Sequence, residues 1–327
     1  MNKPETSDML PAESTGTGGM HLNKTVPASA CGKAILVGEH AVVHGSRAVA
    51  MPLMQTRLHL EVRPVWNAPG KPLIRCKLGK VDVSDRIGPV VEDAFALIGE
   101  TPMALQITGH SDIPIGAGLG SSASLCVATL RALCRIFDRK PGPDSIAAWA
   151  NRMEERFHGQ PSGLDAAVVA RQACIAFRKG APVEILDPAG KTPGFWNFAV
   201  IDSGMRASTK TMVNQSSPWF QAPEGNKRIA RFDDLAGEVV DGLMNHNRSA
   251  VAAAMNEAGH LLGEAGVVTP RLQEIMDESR RHALAAKPTG AGGGGVILVL
   301  LDGDRAGAQL AALRRAFPDN TISATSM

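Results

Sequence analysis

Residues 114–124 read Pro-Ile-Gly-Ala-Gly-Leu-Gly-Ser-Ser-Ala-Ser, a glycine-rich turn that runs directly into an apolar segment of predicted helix. Three glycines within five residues allow the backbone to approach an anion closely. A helix start adds unpaired N–H groups and the positive end of its dipole, and Ser121 and Ser122 place hydroxyl groups there. The stretch predicts a phosphate-binding loop. Taken alone, it fits an ordinary glycine-rich loop before a buried helix equally well.

The overall composition argues against one broad class of function. The chain has 327 residues, 44% of them hydrophobic, which is enough for a sizeable core and favours about two domains. Its net charge of +2 is spread along the sequence without a basic stripe. An aromatic content of 4%, with no tyrosine, leaves few side chains on which bases could stack. We therefore expect no nucleic-acid partner.

The cysteines and the hydropathy pattern indicate a cytoplasmic protein. The five cysteines are scattered and stand mostly in apolar runs, which suits reduced, buried thiols rather than disulfides or a metal-binding pair. The N-terminus lacks the apolar core of a signal peptide, and no apolar run reaches the roughly 18 residues of a membrane span. We expect cytoplasmic localisation and no membrane partner.

The chain divides into a tail and two predicted domains. Residues 1–23 are polar and lack a hydrophobic period, so we expect a mobile tail. Residues 24–192 form the first predicted domain and residues 193–327 the second, with a linker at 188–194. Strand and helix patterns alternate in both domains, which indicates an α+β fold. The main predicted elements are strand–turn–strand at 27–45, a strand at 56–65, helices at 123–137 and 144–157, a polar loop at 215–225, helices at 235–244, 250–262 and 272–286, and a strand at 296–301.

Helical spacing separates two neighbouring glutamates. On the helix predicted after Asp144 or Ser145 as its cap, Glu155 points away from the apolar stripe, whereas Glu154 lies at the margin of that stripe. We therefore expect Glu154 alone to enter a cleft and Glu155 to be solvated. An ion pair on the helix flank is the alternative for Glu154.

Asp165 follows a tight turn, His158-Gly159-Gln160-Pro161-Ser162-Gly163-Leu164. A carboxylate held on such a turn is a candidate general base for a hydroxyl group, and Lys33 is a candidate to stabilise the resulting negative charge. A helix cap at Asp165 fits the local sequence about equally well.

Charged residues end the short apolar runs between residues 33 and 45. Lys33, Glu39 and His40 stand where a strand could present them to a cleft, although a solvated edge fits too. His40 and His44 are four apart, but the zinc-protease pattern places its glutamate between the histidines on a helix. We therefore expect structural or substrate-binding histidines and no zinc site.

A second glycine-rich stretch precedes the strand at 296–301. Residues 290–295 contain five glycines in six positions. Close approach to a phosphate or to the first glycine loop would require them, and a flexible hinge is the alternative. The hydroxyl groups and cations of residues 203–210 suit an anionic ligand, or simply begin a helix.

Three glycine-bracketed motifs occur in the order 33–45, 114–124 and 289–295. Together they resemble the GHMP family of small-molecule kinases, named for galactose, homoserine, mevalonate and phosphomevalonate. The resemblance spans most of residues 26–327, and residues 38–45, 158–165 and 289–295 look most like the mevalonate kinase branch. It implies a two-domain fold, with a ribosomal-S5-like ATP-binding domain followed by a ferredoxin-like α+β domain. It also implies phosphoryl transfer from ATP to the hydroxyl group of a small molecule in the interdomain cleft.

The resemblance assigns a role to individual positions. Asp165 would take the substrate proton beside Lys33, and Ser122 and Glu154 would hold Mg²⁺ through oxygen ligands. The implied acceptor is mevalonate or a related alcohol, and a homodimer is compatible with the family. The remaining implied contacts are the triphosphate with Gly116, Ala117, Gly118, Leu119, Gly120, Ser121 and Ser122, the substrate with Glu39, His40 and Thr209, and support of the phosphate loop by Gly290, Gly292 and Gly293.

Three positions depart from the family pattern and bear on the substrate. Cys31 stands where the family usually has proline, Ala166 where mevalonate kinases commonly have asparagine, and residues 171–173 where an aromatic-Gly-Gly is frequent. A substrate carboxylate would still suit a pocket that contains Lys33, His40 and Arg206.

Overall fold

The computed structural model describes residues 24–65, 74–188, 190 and 195–327. The predicted tail at 1–23 and most of the predicted linker at 188–194 lie outside the described residues. The division into domains at residue 192 therefore stays a prediction.

A seven-stranded sheet forms the first half of the described chain. The long strand β2 is its centre, because it pairs antiparallel with β1 along one edge and with β5 and β6 along the other. Leu58, Leu60 and Val62 are buried on one face of β2, and the polar residues between them lie on the other, as the alternating pattern predicts. The strands are β1 (Val26–Val37), β2 (Ala48–Pro64), β3 (Ile74–Leu78), β4 (Val81–Asp82), β5 (Leu105–Ser111), β6 (Cys174–Phe177) and β7 (Glu184–Leu186).

Four helices cover the buried face of this sheet. The central one, α2 (Ser121–Ile136), packs on β1 and β2 and contacts the other three, α1 (Ser84–Ile98), α3 (Pro143–His158) and α4 (Leu164–Arg171). Leu130 and Leu133 of α2 are at most 1% exposed, so truncating either to alanine should cost about 2–5 kcal/mol. This packing fixes the start of α2, where the glycine loop meets the helix.

The second half is a four-stranded antiparallel sheet in the order β11-β8-β10-β9, packed against helices. Its strands are β8 (Asn197–Asp202), β9 (Ala285–Thr289), β10 (Val296–Leu301) and β11 (Ile322–Ser326), and its helices are α5 (Thr209–Gln221), α6 (Gly225–Met244), α7 (Arg248–Glu264), α8 (Pro270–Arg280) and α9 (Ala306–Ala316).

Two predictions about the second half and one about α3 are wrong in detail. Most of the predicted polar loop at 215–225 is helix α5, in which Met212, Ser216 and Phe220 form a buried stripe at helical spacing. The predicted helix at 272–286 ends at Arg280, and its last residues belong to β9, because Ala285 and Ala286 pair with β10. Helix α3 begins at Pro143 without a side-chain cap.

The segment after β1 also differs from its prediction. Residues Ala41–His44 form a 3₁₀ turn rather than a strand. All five cysteines are buried and free, as predicted. Among the described residues, no helix combines the length and the apolarity that crossing a membrane requires.

Candidate active site

A cleft of about 450 Å³ lies where the two halves meet. The end of β1, the glycine loop before α2, the turn between α3 and α4, the start of α5 and the loop between β9 and β10 all line it. Of the residues singled out in the sequence, the cleft is lined by Lys33, Glu39, His40, Gly116, Ala117, Gly118, Gly120, Ser121, Ser122, Glu154, Asp165, Thr209, Gly290 and Gly292.

Two predicted site residues do not line the cleft. Leu119 is buried beneath the loop, and its carbonyl accepts a hydrogen bond from the Lys33 N–H at 3.0 Å. Gly293 packs against Met212 of α5, and a Cβ at this position would lie 2.3 Å from the Met212 sulfur. Both residues therefore support the two glycine loops through contacts with residues on the side away from the cleft.

The two glycine loops touch each other through their backbones. A Cβ at Gly118 would lie 2.7 Å from Thr289 O, and one at Gly290 would lie 2.7 Å from the Gly118 Cα. Both glycines have positive φ, of 82° and 87°, which favours glycine on a second ground. The prediction that the second glycine stretch approaches the first loop is confirmed.

Lys33 joins the glycine loop to the predicted base. Its Nζ donates to Gly118 O at 3.0 Å and lies 3.1 Å from Asp165 Oδ2. The Lys33 side chain is 3% exposed and that of Asp165 is 29% exposed. A Cβ at Gly120 would meet the Lys33 stem at 2.9 Å, so this glycine makes room for the lysine.

Asp165 lies in the first turn of α4 and does not cap it. The cap position is Gly163, whose φ of 93° is a left-handed conformation that glycine adopts readily. The alternative of a helix cap at Asp165 is therefore wrong, and the carboxylate is held at the cleft beside Lys33.

Ser122, Glu154 and His158 form a cluster at the start of α2. Ser122 Oγ donates to Glu154 Oε1 at 3.0 Å and lies 3.0 Å from His158 Nε2. The expected helix faces are confirmed, since Glu154 is 1% exposed while Glu155 is exposed. Burial, together with the negative charge of Asp165, raises the pKa of Glu154 to about 8. A bound cation would relieve both effects.

His158 was missed as a member of this cluster. Burial lowers the pKa of its imidazole, the negative charge of Asp165 opposes this shift, and the positive charge of Lys33 adds to it. Its position four residues after Glu154, on the same face of α3, is the sequence signal that could have found it.

Glu39 forms a buried ion pair with Lys287 of β9. Both side chains are at most 1% exposed, and burial raises the pKa of Glu39 and lowers that of Lys287. Glu39 Oε2 is buried and has no hydrogen-bond partner among the described residues. The sequence offered no signal for Lys287, because its partner lies 248 residues away.

Both ring nitrogens of His40 contact the second half of the chain. Nε2 lies 2.9 Å from Ala291 O, and Nδ1 lies 2.8 Å from Ser216 Oγ on α5. His44 instead stacks on Phe220, with ring centroids 4.8 Å apart. The expectation that these histidines are not zinc ligands agrees with these contacts.

Arg206 does not line the cleft, although it was expected in the pocket for the substrate carboxylate. Its guanidinium pairs with Asp202 at 2.7 Å and donates to Ile115 O at 3.0 Å, outside the described lining of the cleft. Lys210, next to Thr209 at the start of α5, does line the cleft. Among the described residues that line the cleft, the lysines are Lys33 and Lys210.

Comparisons with known proteins agree with this architecture. The family described as GHMP kinases N terminal domain matches residues 88–172, and GHMP kinases C terminal matches residues 239–319. The mevalonate kinase of Archaeoglobus fulgidus is 32% identical over 281 residues, which cover 85% of this chain and 93% of that protein.

Two solved structures show the same fold. The mevalonate kinase of Methanococcus jannaschii superposes with a TM-score of 0.77 at 22% identity, over 93% of this chain and 99% of that one. The mevalonate kinase of L. major, solved in complex with R-mevalonate, gives a TM-score of 0.76 at 21% identity, over 93% and 97% of the two chains. The predicted two-domain fold is confirmed.

Proposed function

The chain belongs to the GHMP kinase family, and we propose that it transfers the γ-phosphoryl group of ATP to the 5-hydroxyl group of mevalonate. The relatives named as mevalonate kinases and the cleft described above support this proposal. The observation that carries it is the pair formed by Lys33 and Asp165, 3.1 Å apart at a cleft that two interlocked glycine loops line.

Asp165 acts as the general base. Its carboxylate accepts the proton of the acceptor hydroxyl as the oxygen attacks the γ-phosphorus. A bond forms between that oxygen and phosphorus, the bond from phosphorus to the bridging oxygen breaks, and ADP leaves. Lys33 holds the carboxylate in place and supplies positive charge where the transferred group carries negative charge.

The loop at 116–122 binds the triphosphate. Its backbone N–H groups provide hydrogen-bond donors, and the start of α2 provides the positive end of the helix dipole. The glycines lack side chains, so the backbone can approach the phosphates closely. The loop lacks the lysine that follows the glycines of a Walker loop. Lys33, whose Nζ donates to Gly118 O, supplies the positive charge beside this loop instead.

Ser122 and Glu154 fit a magnesium ion. Their hydroxyl and carboxylate oxygens are the ligand type that Mg²⁺ takes. Among the described residues, the buried Glu154 carboxylate has no lysine or arginine within ion-pair distance, and the Nε2 of His158 lies 3.8 Å away. Bound there, the ion would neutralise charge on the β- and γ-phosphates. His158 helps to orient the Ser122 hydroxyl, because its Nε2 lies 3.0 Å from the Ser122 Oγ.

Glu39, His40 and Thr209 form the acceptor side of the cleft, and Gly290, Gly292 and Gly293 support the phosphate loop. His40 contributes a neutral imidazole to this side, because burial lowers its pKa to about 4. Both of its ring nitrogens already contact other residues of the protein. Lys210 is the lysine of the described lining that is left for the substrate carboxylate, because Lys33 already pairs with Asp165 and donates to Gly118 O. This assignment replaces Arg206, which Asp202 neutralises.

A panel of acceptors tests the proposal. The purified chain is incubated with ATP, Mg²⁺ and one alcohol at a time, namely mevalonate, phosphomevalonate, galactose or homoserine, and ADP release is followed together with the phosphorylated product. We expect turnover with mevalonate at a kcat/KM at least about tenfold above the others. Turnover with another acceptor and none with mevalonate would assign the chain to a different branch of the family. Mevalonate and ATP binding without turnover would indicate a ligand sensor on this fold.

A further inference from the structure

A pair of histidines lies on the outer face of the first sheet. His59 of β2 and His110 of β5 are register partners, and their rings stack with centroids 4.8 Å apart and planes inclined by 14°. Asp112 follows the end of β5, where its N–H donates to Arg57 O at 2.8 Å and continues the pairing with β2. Because residues two apart on a strand share a face, Asp112 stands beside both histidines.

These three side chains can reach one ion. One ligand atom from each of His59, His110 and Asp112 lies within 4.8 Å of the other two. Two ligands about 2.1 Å from a tetrahedral zinc ion are about 3.4 Å apart. Binding one ion therefore requires the two stacked imidazoles to rotate out of their parallel arrangement, so that their in-plane lone pairs converge. His110 and Asp112 are exposed and His59 is half-buried, which leaves them free to rotate.

The charges around the pair favour a cation over an anion. Glu61, two residues from His59 on the same strand face, and Asp112 place a carboxylate on each side of the imidazoles. The neighbouring guanidinium groups are held elsewhere: Arg57 donates to Ser29 and Gln172, and Arg135 donates to Pro27 O at the edge of β1.

We propose that His59, His110 and Asp112 bind a divalent transition-metal ion, with Zn²⁺ as the ion to test first and water completing its coordination. Two imidazoles and one carboxylate suit zinc, whereas Mg²⁺ prefers oxygen ligands alone. None of these three residues lines the cleft described above. Asp112 precedes Gly116 by four positions, so the ion would fasten the strand end from which the glycine loop departs.

Calorimetric titration of the untagged chain with ZnCl₂ tests the site. We expect one equivalent to bind. His110→Ala and Asp112→Asn should each weaken zinc affinity by at least about tenfold, because even the loss of a group that only supports a ligand costs about 10–100-fold. The control is His260→Ala, which removes an exposed histidine beside Glu264, 3.3 Å away, and should leave the affinity unchanged.

Imidazole ¹H–¹⁵N spectra identify the ligands directly. With one equivalent of Zn²⁺, the signals of His59 and His110 should shift, and circular dichroism should show each variant folded. Shifts confined to His158 in the cleft, or zinc affinity that is unchanged by His59→Ala and His110→Ala, would overturn the proposal.

Discussion

Lys287 of β9 reaches across to the first half of the chain and pairs with Glu39 in an environment closed to solvent. Its Nζ donates to Ile35 O at 3.3 Å, to Pro288 O at 2.7 Å and to Glu39 Oε1, so all three N–H donors are used. The ammonium group therefore holds together the end of β1, Glu39 at the cleft and the strand before the second glycine loop.

Breaking this pair from one side should be costly. Lys287→Met leaves the Glu39 carboxylate buried without a counterion, and we expect it to lower the free energy of unfolding by about 3–5 kcal/mol. Combining it with Glu39→Gln should recover part of that loss. Urea unfolding measures both, with Lys227→Met as the control, since its exposed pair with Glu224 should contribute less than about 1 kcal/mol. A single variant as stable as the control would contradict this account.

Local patterns predicted much of the site. The burial of Glu154 and the exposure of Glu155 follow from helical geometry over a few residues. The glycine spacing at 116–120 indicates a loop whose backbone closely approaches another group, which in the structure is the second glycine loop. These signals are local, so one sequence suffices to find them.

Features that depend on distant partners were not predictable. The ion pair of Lys287 joins residues far apart in the chain, and β9 forms because β10 lies beside it, although Ala285 and Ala286 favour helix on their own. Helix α5 was not predicted, because it contains Pro218 and many polar residues, and its buried stripe consists of only Met212, Ser216 and Phe220. Arg206 is a different case, because its partner Asp202 lies only four residues before it. Residues 203–208 form no helix, so the helical i,i+4 rule gave no reason to pair the two side chains.

Removing the base should abolish most turnover. Asp165→Asn keeps the shape of the side chain but cannot accept the hydroxyl proton, so we expect kcat to fall by about 10²–10⁴-fold with little change in ATP affinity. Steady-state kinetics with mevalonate and ATP provide the measurement. Asp144→Asn is the control, because Asp144 is an exposed aspartate at the start of α3 that pairs with Arg171 at the end of α4. Turnover of Asp165→Asn at the parental rate would remove this residue from the mechanism.

Neighbouring glutamates should respond differently to magnesium. Glu154→Gln removes a charged ligand from the Ser122 cluster, so the Mg²⁺ concentration for half-maximal activity should rise by about tenfold or more. Glu155→Gln alters an exposed residue one position away and should leave that concentration unchanged. Titrating Mg²⁺ at fixed ATP compares the two variants. Equal effects would refute the assignment of Glu154.

Acid should destabilise the fold through His40. Burial lowers the pKa of its imidazole from 6.5 to about 4. At pH 7.5 and above, the imidazole is almost entirely neutral in both the folded and the unfolded chain, and His40 adds no pH dependence. As the pH falls below 6.5, the unfolded chain takes up a proton that the native chain does not, so stability drops. Between pH 7.5 and 4.5 this amounts to about 2–3 kcal/mol. Urea unfolding at both pH values should show a smaller drop in His40→Gln, while His260→Gln should match the parent.

The contact between the two glycine loops can be tested with a matched pair of variants. Gly118 and Gly180 both have positive φ, of 82° and 81°, so alanine costs backbone strain of about 1–3 kcal/mol at either position. They differ in their surroundings, because a Cβ at Gly180 meets nothing within 4 Å, whereas one at Gly118 lies 2.7 Å from Thr289 O. Gly118→Ala must therefore push the loops apart, which displaces the carbonyl that Lys33 holds. We expect it to raise the KM for ATP by about tenfold or more and to lower kcat, with Gly180→Ala changing stability alone. If both variants kept the parental KM, the close approach of the loops would have no part in binding the triphosphate.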